Sequence, residues 1–290
     1  SFFNKYVATI RLVWDSILRW SRGSPMRNTI LIINFNFAED LANKETLKKL
    51  YSPHFKTLIF YSDHGCGDEY SDVHYLATEK GFFTQMIFVH FYENYYAELQ
   101  DSDGVFYLHD DCILNTKTLH KITPTKAITY PTGQVKFKSY FFEFHEEKTS
   151  HRWHHLDGAY GLKALSTLAA DLEVGDDMKF ISYGFSDFFL IPKHYWEKDF
   201  VDFLNITYTH RLFLEIAIPT AIANFVGKNF DDTAIFQSLK LKVLWRESRN
   251  FTKLDLRKWI LEDRYDVIHP IKMRANPWMK RELERSFRIK

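Results

Sequence analysis

Val105-Phe106-Tyr107-Leu108-His109-Asp110-Asp111 is an apolar run that ends in two adjacent acids. The run reads as a buried strand. Carboxylates inside an apolar sheet would lose their hydration with no partner, so the acids belong at the strand's tip, where they can share a hydrated divalent cation. A strand-ending turn is the plainer reading of the pair, since Asp commonly begins turns.

The segments upstream supply the context. Thr29 to Asn36 is β-rich and largely apolar, as expected of a strand buried on both faces. Leu41 to Tyr51 predicts a helix stopped by Pro53, and Thr57 to Tyr61 a second strand finishing at Ser62-Asp63. Strand, helix, strand in this order predicts a right-handed parallel unit. A Gly/Asp-rich loop from His64 to Asp72 and a long helical pattern from Phe82 to Leu99 then lead to Val105. The predicted class is α/β with an open sheet, and such sheets gather ligands beyond the carboxyl ends of their strands. Asn34, Asn36, Asp63, Asp110 and Asp111 all fall at such ends.

The second half is less regular. Ala127 to Thr129 and Gln134 to Phe144 are strand-like, and Ala159 to Leu172 predicts a helix. Phe180 to Tyr183 and Phe188 to Ile191 predict two strands flanking a turn at Gly184-Phe185-Ser186-Asp187, while Arg211 to Phe225 predicts a helix kinked or broken at Pro219. At the start, Phe3, Tyr6, Val7, Ile10, Val13, Trp14 and Ile17 recur at helical spacing, which predicts an amphipathic helix that docks on the core or lies on a membrane surface. No stretch is rich enough in Pro, Gly or Ser to divide the chain, so residues 1–290 read as one domain.

With 290 residues the chain can bury roughly 75% of its unfolded surface. A formal net charge of +1 argues against a protein that grips a nucleic-acid backbone. Aromatic residues make up 17%, enough to stack on sugars or bases beyond those that fill the core. Only the C-terminal end is visibly basic, from Lys272 and Arg274 to Lys290, and it reads as a solvated tail. Cys66 and Cys112 have no metal-ligand spacing and permit one disulfide at most. No apolar run reaches the length of a membrane span.

The strand order, the helix before Val105 and the acids at His109-Asp110-Asp111 resemble the GT-A glycosyltransferases, whose DXD motif binds Mn2+ or Mg2+ against the diphosphate of a nucleotide sugar. The resemblance implies a GT-A, Rossmann-like open mixed sheet flanked by helices. It implies a nucleotide-sugar-binding half at 29–125, an acceptor-binding half at 126–290 and an N-terminal helix within 1–28. Asp111 would be the direct metal ligand, and Asp110 would contact the ribose or the metal's water shell. His109 departs from the acid that many members carry at the motif's first position. A second resemblance lies at Tyr265-Asp266-Val267-Ile268-His269-Pro270-Ile271-Lys272, where a C-terminal histidine returns to the metal and a basic residue to the diphosphate. Those roles fall to His269 and Lys272. The nucleoside would rest near Asn34, Phe35, Asn36 and Asp63.

The implied reaction moves a sugar from a nucleoside diphosphate donor, a UDP-sugar, to a glycan hydroxyl. Inverting transfer needs a base opposite the leaving group. Glu215 is the first choice, because a charge in the apolar pattern Leu212-Phe213-Leu214-Glu215-Ile216-Ala217 needs a purpose or a partner. A helix salt bridge with Arg211 is its plain alternative. Asp187 and Asp157 are rival bases, each also explained by turn chemistry. Two other functional classes compete: a metal-dependent phosphoesterase or nucleotidyltransferase using the same acids, and a non-catalytic carbohydrate-binding protein. The resemblance places the chain in the Golgi lumen if a membrane anchor precedes it, and in the cytoplasm otherwise.

Overall fold

Strand β1 (Thr29–Phe35) is buried along its whole length. Its Leu31, Ile33 and Phe35 join one hydrophobic core and its Ile30 and Ile32 another, because successive strand side chains point to opposite sides of the sheet. Strands β2 (Thr57–Ser62) and β3 (Val73–Tyr75) follow on one side of it, and β4 (Gly104–His109) lies on the other. In β4, Phe106 and Leu108 face the first core and Val105 and Tyr107 the second. Strands that are apolar on both faces must be covered on both. Helix α1 (Lys44–Tyr51) supplies Leu47, Leu50 and Tyr51 to the first core, whereas α2 (Gln85–Asn94) supplies Ile87, Phe88 and Phe91 to the second. A short α3 (Tyr96–Gln100) follows α2.

The computed structural model describes residues 24–65, 68–136, 168, 180–244, 252–261, 264–274 and 276–287. Most of the expected N-terminal amphipathic helix, Cys66, Asp157 and all but Leu168 of the helix expected at 159–172 lie outside the described residues.

The main sheet has six strands in the order β3-β2-β1-β4-β7-β6, with β6 at Ile128–Lys136 and β7 at Phe180–Pro192. The first four strands in that order are mutually parallel; β7 runs antiparallel to both β4 and β6. From β1 the chain steps outward to β2 and β3, then returns to place β4 on the opposite flank of β1. That reversal makes the carboxyl ends of β1 and β4 a topological switch point, the position where open α/β sheets hold ligands. Helices α4 (Lys198–Thr209) and α5 (Leu214–Phe225) cover the second face. Helices α6 (Lys253–Leu261) and α7 (Pro277–Ser286) add Leu256, Ile260, Met279 and Leu283 to the first.

A second, smaller sheet has the order β5-β9-β8, made of Ile113–Leu114 (β5), Leu241–Val243 (β8) and Val267–His269 (β9). Ile113 pairs with Ile268 and Leu114 with Val267 in antiparallel register. This pairing returns a segment from late in the chain to the tip of β4.

The parallel β1-α1-β2 unit and the strand before the acid pair form as their sequence patterns predict. Four other readings are corrected. Phe180 to Ile191 is one strand without a turn, because Tyr130 and Pro131 of β6 pair directly with Phe185 and Gly184. A Cβ on Gly184 would lie 2.3 Å from the Tyr130 carbonyl oxygen, so the closest approach of the two backbones requires glycine. The helix expected over 82–99 breaks at Tyr95 into α2 and α3. Helix α5 begins at Leu214 and continues through Pro219, whereas Arg211 stands before it with φ +58°; the helical four-residue spacing between Arg211 and Glu215 is therefore lost. Finally, the basic C-terminal stretch includes α7, docked through Met279 and Leu283. Among the described residues no helix is long and apolar enough to cross a membrane.

Candidate functional site

At the tip of β4 the apolar run stops and the chain turns. The Asp110 amide donates to the Asn34 carbonyl at 3.0 Å, tying the ends of β1 and β4 together, and the Cys112 amide returns to the His109 carbonyl at 3.0 Å. His109, Asp110, Asp111 and Cys112 are all buried. From the other end of the chain, the Ile271 amide donates to the Asp111 carbonyl at 2.7 Å. With β9 held against β5, this bond fixes His269 and Lys272 beside Asp111.

The ionisable groups form a continuous row. His109 Nδ1 lies 2.9 Å from Asp187 Oδ1; Asp187 Oδ2 lies 3.5 Å from His269 Nε2; His269 Nε2 lies 3.3 Å from Asp111 Oδ1. Asp111 Oδ2 accepts a hydrogen bond from Lys272 Nζ, which completes the row. Base and acid alternate along it. Phe185, two residues before Asp187 on the same face of β7, sets its ring edge-on to His269 with centroids 4.9 Å apart.

Burial and neighbouring charge act differently on these groups. Burial opposes ionisation of Asp111, but His269, Lys272 and His109 outweigh it and hold the carboxyl below its ordinary range. Asp110 is driven the other way: burial first, then the charges of Asp111 and Asp40, raise it well above the ordinary carboxylate range. Burial disfavours a charged His109, yet Asp187, with Asp111 and Asp110 behind it, raises its pKa. Burial and the nearby carboxylates push the pKa of the Cys112 thiol well up. Two adjacent acids thus hold different protonation preferences. The same backbone turn delivers both.

A left-handed turn roofs the row. Glu79, Lys80 and Gly81 have φ of +49°, +61° and +82°, and a Cβ on Gly81 would meet Asn36 Oδ1 at 2.8 Å and His109 Cε1 at 3.0 Å. Only glycine permits that approach without displacement. Asp63 braces the turn by accepting from the Lys80 amide and from Thr78 Oγ1. Leu214 N bonds to the Phe82 carbonyl at 2.8 Å, which docks the start of α5 on the same turn. Strain of this kind gathers at binding sites because the surroundings must over-determine it.

The rim carries both signs of charge. Lys80 Nζ and the Arg274 guanidinium lie 5.9 and 5.5 Å from the ring centre of Phe37, and Arg274 pairs with Glu39 at 3.0 Å and Asp40 at 3.7 Å. Burial raises the pKa of Asp40 despite Arg274 and Lys272 nearby, and the charge of Asp111 adds to that rise.

Of the residues singled out by sequence, Asp110, Asp111, Asp187, His269 and Lys272 meet here, with Asn34 and Asn36 beneath His109. Asn34 Nδ2 donates to Asn36 Oδ1 at 3.2 Å, and Asn36 Nδ2 stands 3.4 Å from His109 Nδ1. Asp187 is a strand residue whose carboxylate holds two histidines, so turn chemistry does not explain it. Phe35 is corrected as a nucleoside contact: its ring is wholly buried, tilted against Phe60 at 6.3 Å, and its face serves the core. Asp63 braces the 78–80 turn. Glu215 is buried in the first turn of α5, adjoining the Leu214 contact to the roof. Sequence reasoning missed Phe37, Asp40, Lys80, Arg274 and Cys112. Phe37 and Asp40 follow directly from a strand tip and were the most findable of the five.

Asp111, Cys112 and His269 each offer one donor atom, and the three atoms lie within 4.8 Å of one another. Carboxylate, imidazole and thiol together fit a first-row transition cation better than Mg2+. Cys112 is a buried free thiol. No family model matches this chain, and no curated protein matches it either.

Proposed function

We propose that this chain is a divalent-metal-dependent glycosyltransferase of GT-A type that moves a sugar from a nucleoside diphosphate, a UDP-sugar, to a hydroxyl of a glycan, with inversion. One observation carries the reading: His269 and Lys272, more than 150 residues downstream, both meet Asp111 at the tip of β4. The reversal of strand order at β1 and β4 supports it, since nucleotides bind open α/β sheets at such points. Asp111 and His269 would hold Mn2+, with Asp110 at its water shell. When bound, the cation supplies Lewis-acid stabilisation of charge on the departing diphosphate.

The chain's own groups do the remaining work. Lys272, Lys80 and Arg274 would offset phosphate charge, and Phe37, just beyond the end of β1, would give the nucleotide an aromatic surface. The Ile271 amide and His269 hold Asp111 in place, while the left-handed turn packs on His109 and Asn36. Glu215 is the base proposed for the acceptor hydroxyl, because α5 enters the roof beside it while Asp187 is committed to His109 and His269.

Incubating the protein with UDP-sugars, Mn2+ and a glycan panel tests the proposal. The expected result is acceptor-dependent release of UDP that is lost in Asp111→Ala with the fold intact by circular dichroism. Cleavage of the diphosphate itself would instead assign a phosphoesterase or nucleotidyltransferase. Glycan binding that needs neither metal nor nucleotide would assign a binding protein.

A further inference from the structure

We propose that Lys272 is an internal counter-ion that occupies the metal's place on Asp111 and is released, when a divalent cation binds, to the phosphates of the nucleotide. The inference rests on the function proposed above and assigns Lys272 two successive partners. Its ammonium is hydrogen-bonded to Asp111 Oδ2, whereas His269 Nε2 stands 3.3 Å from Oδ1, which has no hydrogen-bond partner. A dication that engages Oδ2 must displace the ammonium. His269 is held in a strand, wedged between Asp111 and Asp187 and only 3% exposed. Lys272 lies beyond the strand end on a flexible four-carbon stem, with its side chain 50% exposed. Lys272 is the group that can leave.

Its destination is set by charge. Arg274 is two residues away and, like Lys80, stands over Phe37; Asp40 beside Arg274 feels Lys272 as well. An ammonium released from Asp111 stays near Arg274 and Lys80, the two cations over the Phe37 ring, of which Arg274 is paired with Glu39 and Asp40. Cations beside an aromatic ring suit a ligand that carries phosphates and a planar base, and the phosphates would compete with Glu39 and Asp40 for them. Metal and nucleotide then help each other: the metal frees the lysine that the phosphates need, and by linkage the nucleotide tightens the metal by the same factor. With no metal, Lys272 keeps Asp111 paired. It blocks the nucleotide from binding in an unproductive order.

The test compares wild type with Lys272→Met and Lys272→Gln, both of which remove the charge at a half-exposed position and retain most of the stem. Mn2+ alone is titrated first, by paramagnetic resonance of free Mn2+, and UDP is then titrated by calorimetry in the presence of saturating Mn2+. The expected result has opposite signs: with no nucleotide, both variants bind Mn2+ about 3–10-fold more tightly than wild type, as expected from removing one partly exposed competing charge. UDP binds the Mn2+-loaded variants at least about tenfold more weakly, and the mutual enhancement between Mn2+ and UDP shrinks. Weaker or unchanged Mn2+ binding in both variants overturns the proposal. Unchanged UDP binding overturns the handover to phosphate. Asp111→Ala separates this failure from a failure of the functional reading: if it binds Mn2+ as wild type does, the metal assignment falls, whatever Lys272 does.

Discussion

Asp187→Asn puts a number on the row of ionisable groups. The substitution keeps the size of the side chain and removes its charge. Asp187 uses one oxygen for His109 and the other for His269, at 2.9 and 3.5 Å, and its side chain is 15% exposed against 4% for His109. An amide has one acceptor oxygen and no charge, so it can accept from only one of the two histidines and attracts neither as an ion. A hydrogen bond to a charged group contributes about 1.5–3 kcal/mol, and leaving a buried partner unsatisfied adds to that loss, so Asp187→Asn should cost about 2–4 kcal/mol. The exposed pair Lys198–Asp202 is the internal control. Those side chains are 75% and 51% exposed, one helical turn apart, and Asp202→Asn should cost no more than about 0.5 kcal/mol. Urea unfolding of both variants measures the difference, with unchanged m-values as the check that only stability moved. A cycle with His109→Gln should return a coupling of at least about 1 kcal/mol. If Asp187→Asn stays within about 0.5 kcal/mol of wild type, the histidines are not held by that carboxylate and the row described here is wrong.

Three further outcomes follow from other parts of the fold. The hydrogen bond from buried Lys44, with that lysine's charge, depresses the pKa of Asp72, so the pair stabilises the native state above the unfolded carboxylate range and loses that contribution as pH falls through the folded pKa. Because Asp72 is half exposed, Asp72→Asn should cost about 0.5–1 kcal/mol near pH 6 and progressively less as the pH falls through and below the unfolded carboxylate range, as read by thermal unfolding against pH. Gly81→Ala should destabilise by more than about 1 kcal/mol, since φ is +82° and the added Cβ would sit 2.8 Å from Asn36 Oδ1; Gly65→Ala, with nothing within 4 Å, should be nearly silent. In a Cys66→Ser background, Ellman's reagent should label Cys112 only at the rate of unfolding, because the thiol is buried and its pKa raised; rapid labelling of the native protein would contradict that placement.

The sequence makes β1 and β4 legible because a strand covered on both faces must be a continuous apolar run, and few other elements of that length are. It hides β7 for a related reason. Gly184-Phe185-Ser186-Asp187 carries the composition of a turn, yet the glycine is there for close approach of β6, Ser186 satisfies itself on the Gly184 carbonyl, and Asp187 faces two histidines. Local rules fail in that strand where it leaves the core and reaches the site. His269 and Lys272 were found by resemblance, since no periodicity links them to Asp111. Cys112 and Arg274 were not found, because their roles exist only once β9 lies on β5 and the basic stretch folds back over Phe37.

The placement of the row also bears on why it exists. Buried ion pairs seldom stabilise a fold more than apolar residues of similar volume would, since desolvation of both partners offsets their attraction. A fold seeking stability alone would have continued the pattern of Phe106 and Leu108 outward. Instead two carboxylates, two histidines and a lysine converge at the carboxyl ends of β1 and β4, beside a turn with three consecutive positive φ values. Each of those features is costly by itself, and each is positioned relative to Asp111. Asp110 makes the same point from the adjacent position: burial and the charges of Asp111 and Asp40 raise its pKa, while His269, Lys272 and His109 hold that of Asp111 down. Oppositely perturbed groups gathered at one strand tip are a pattern that functional sites share, and the lysine resting on Asp111 shows that this position accepts positive charge.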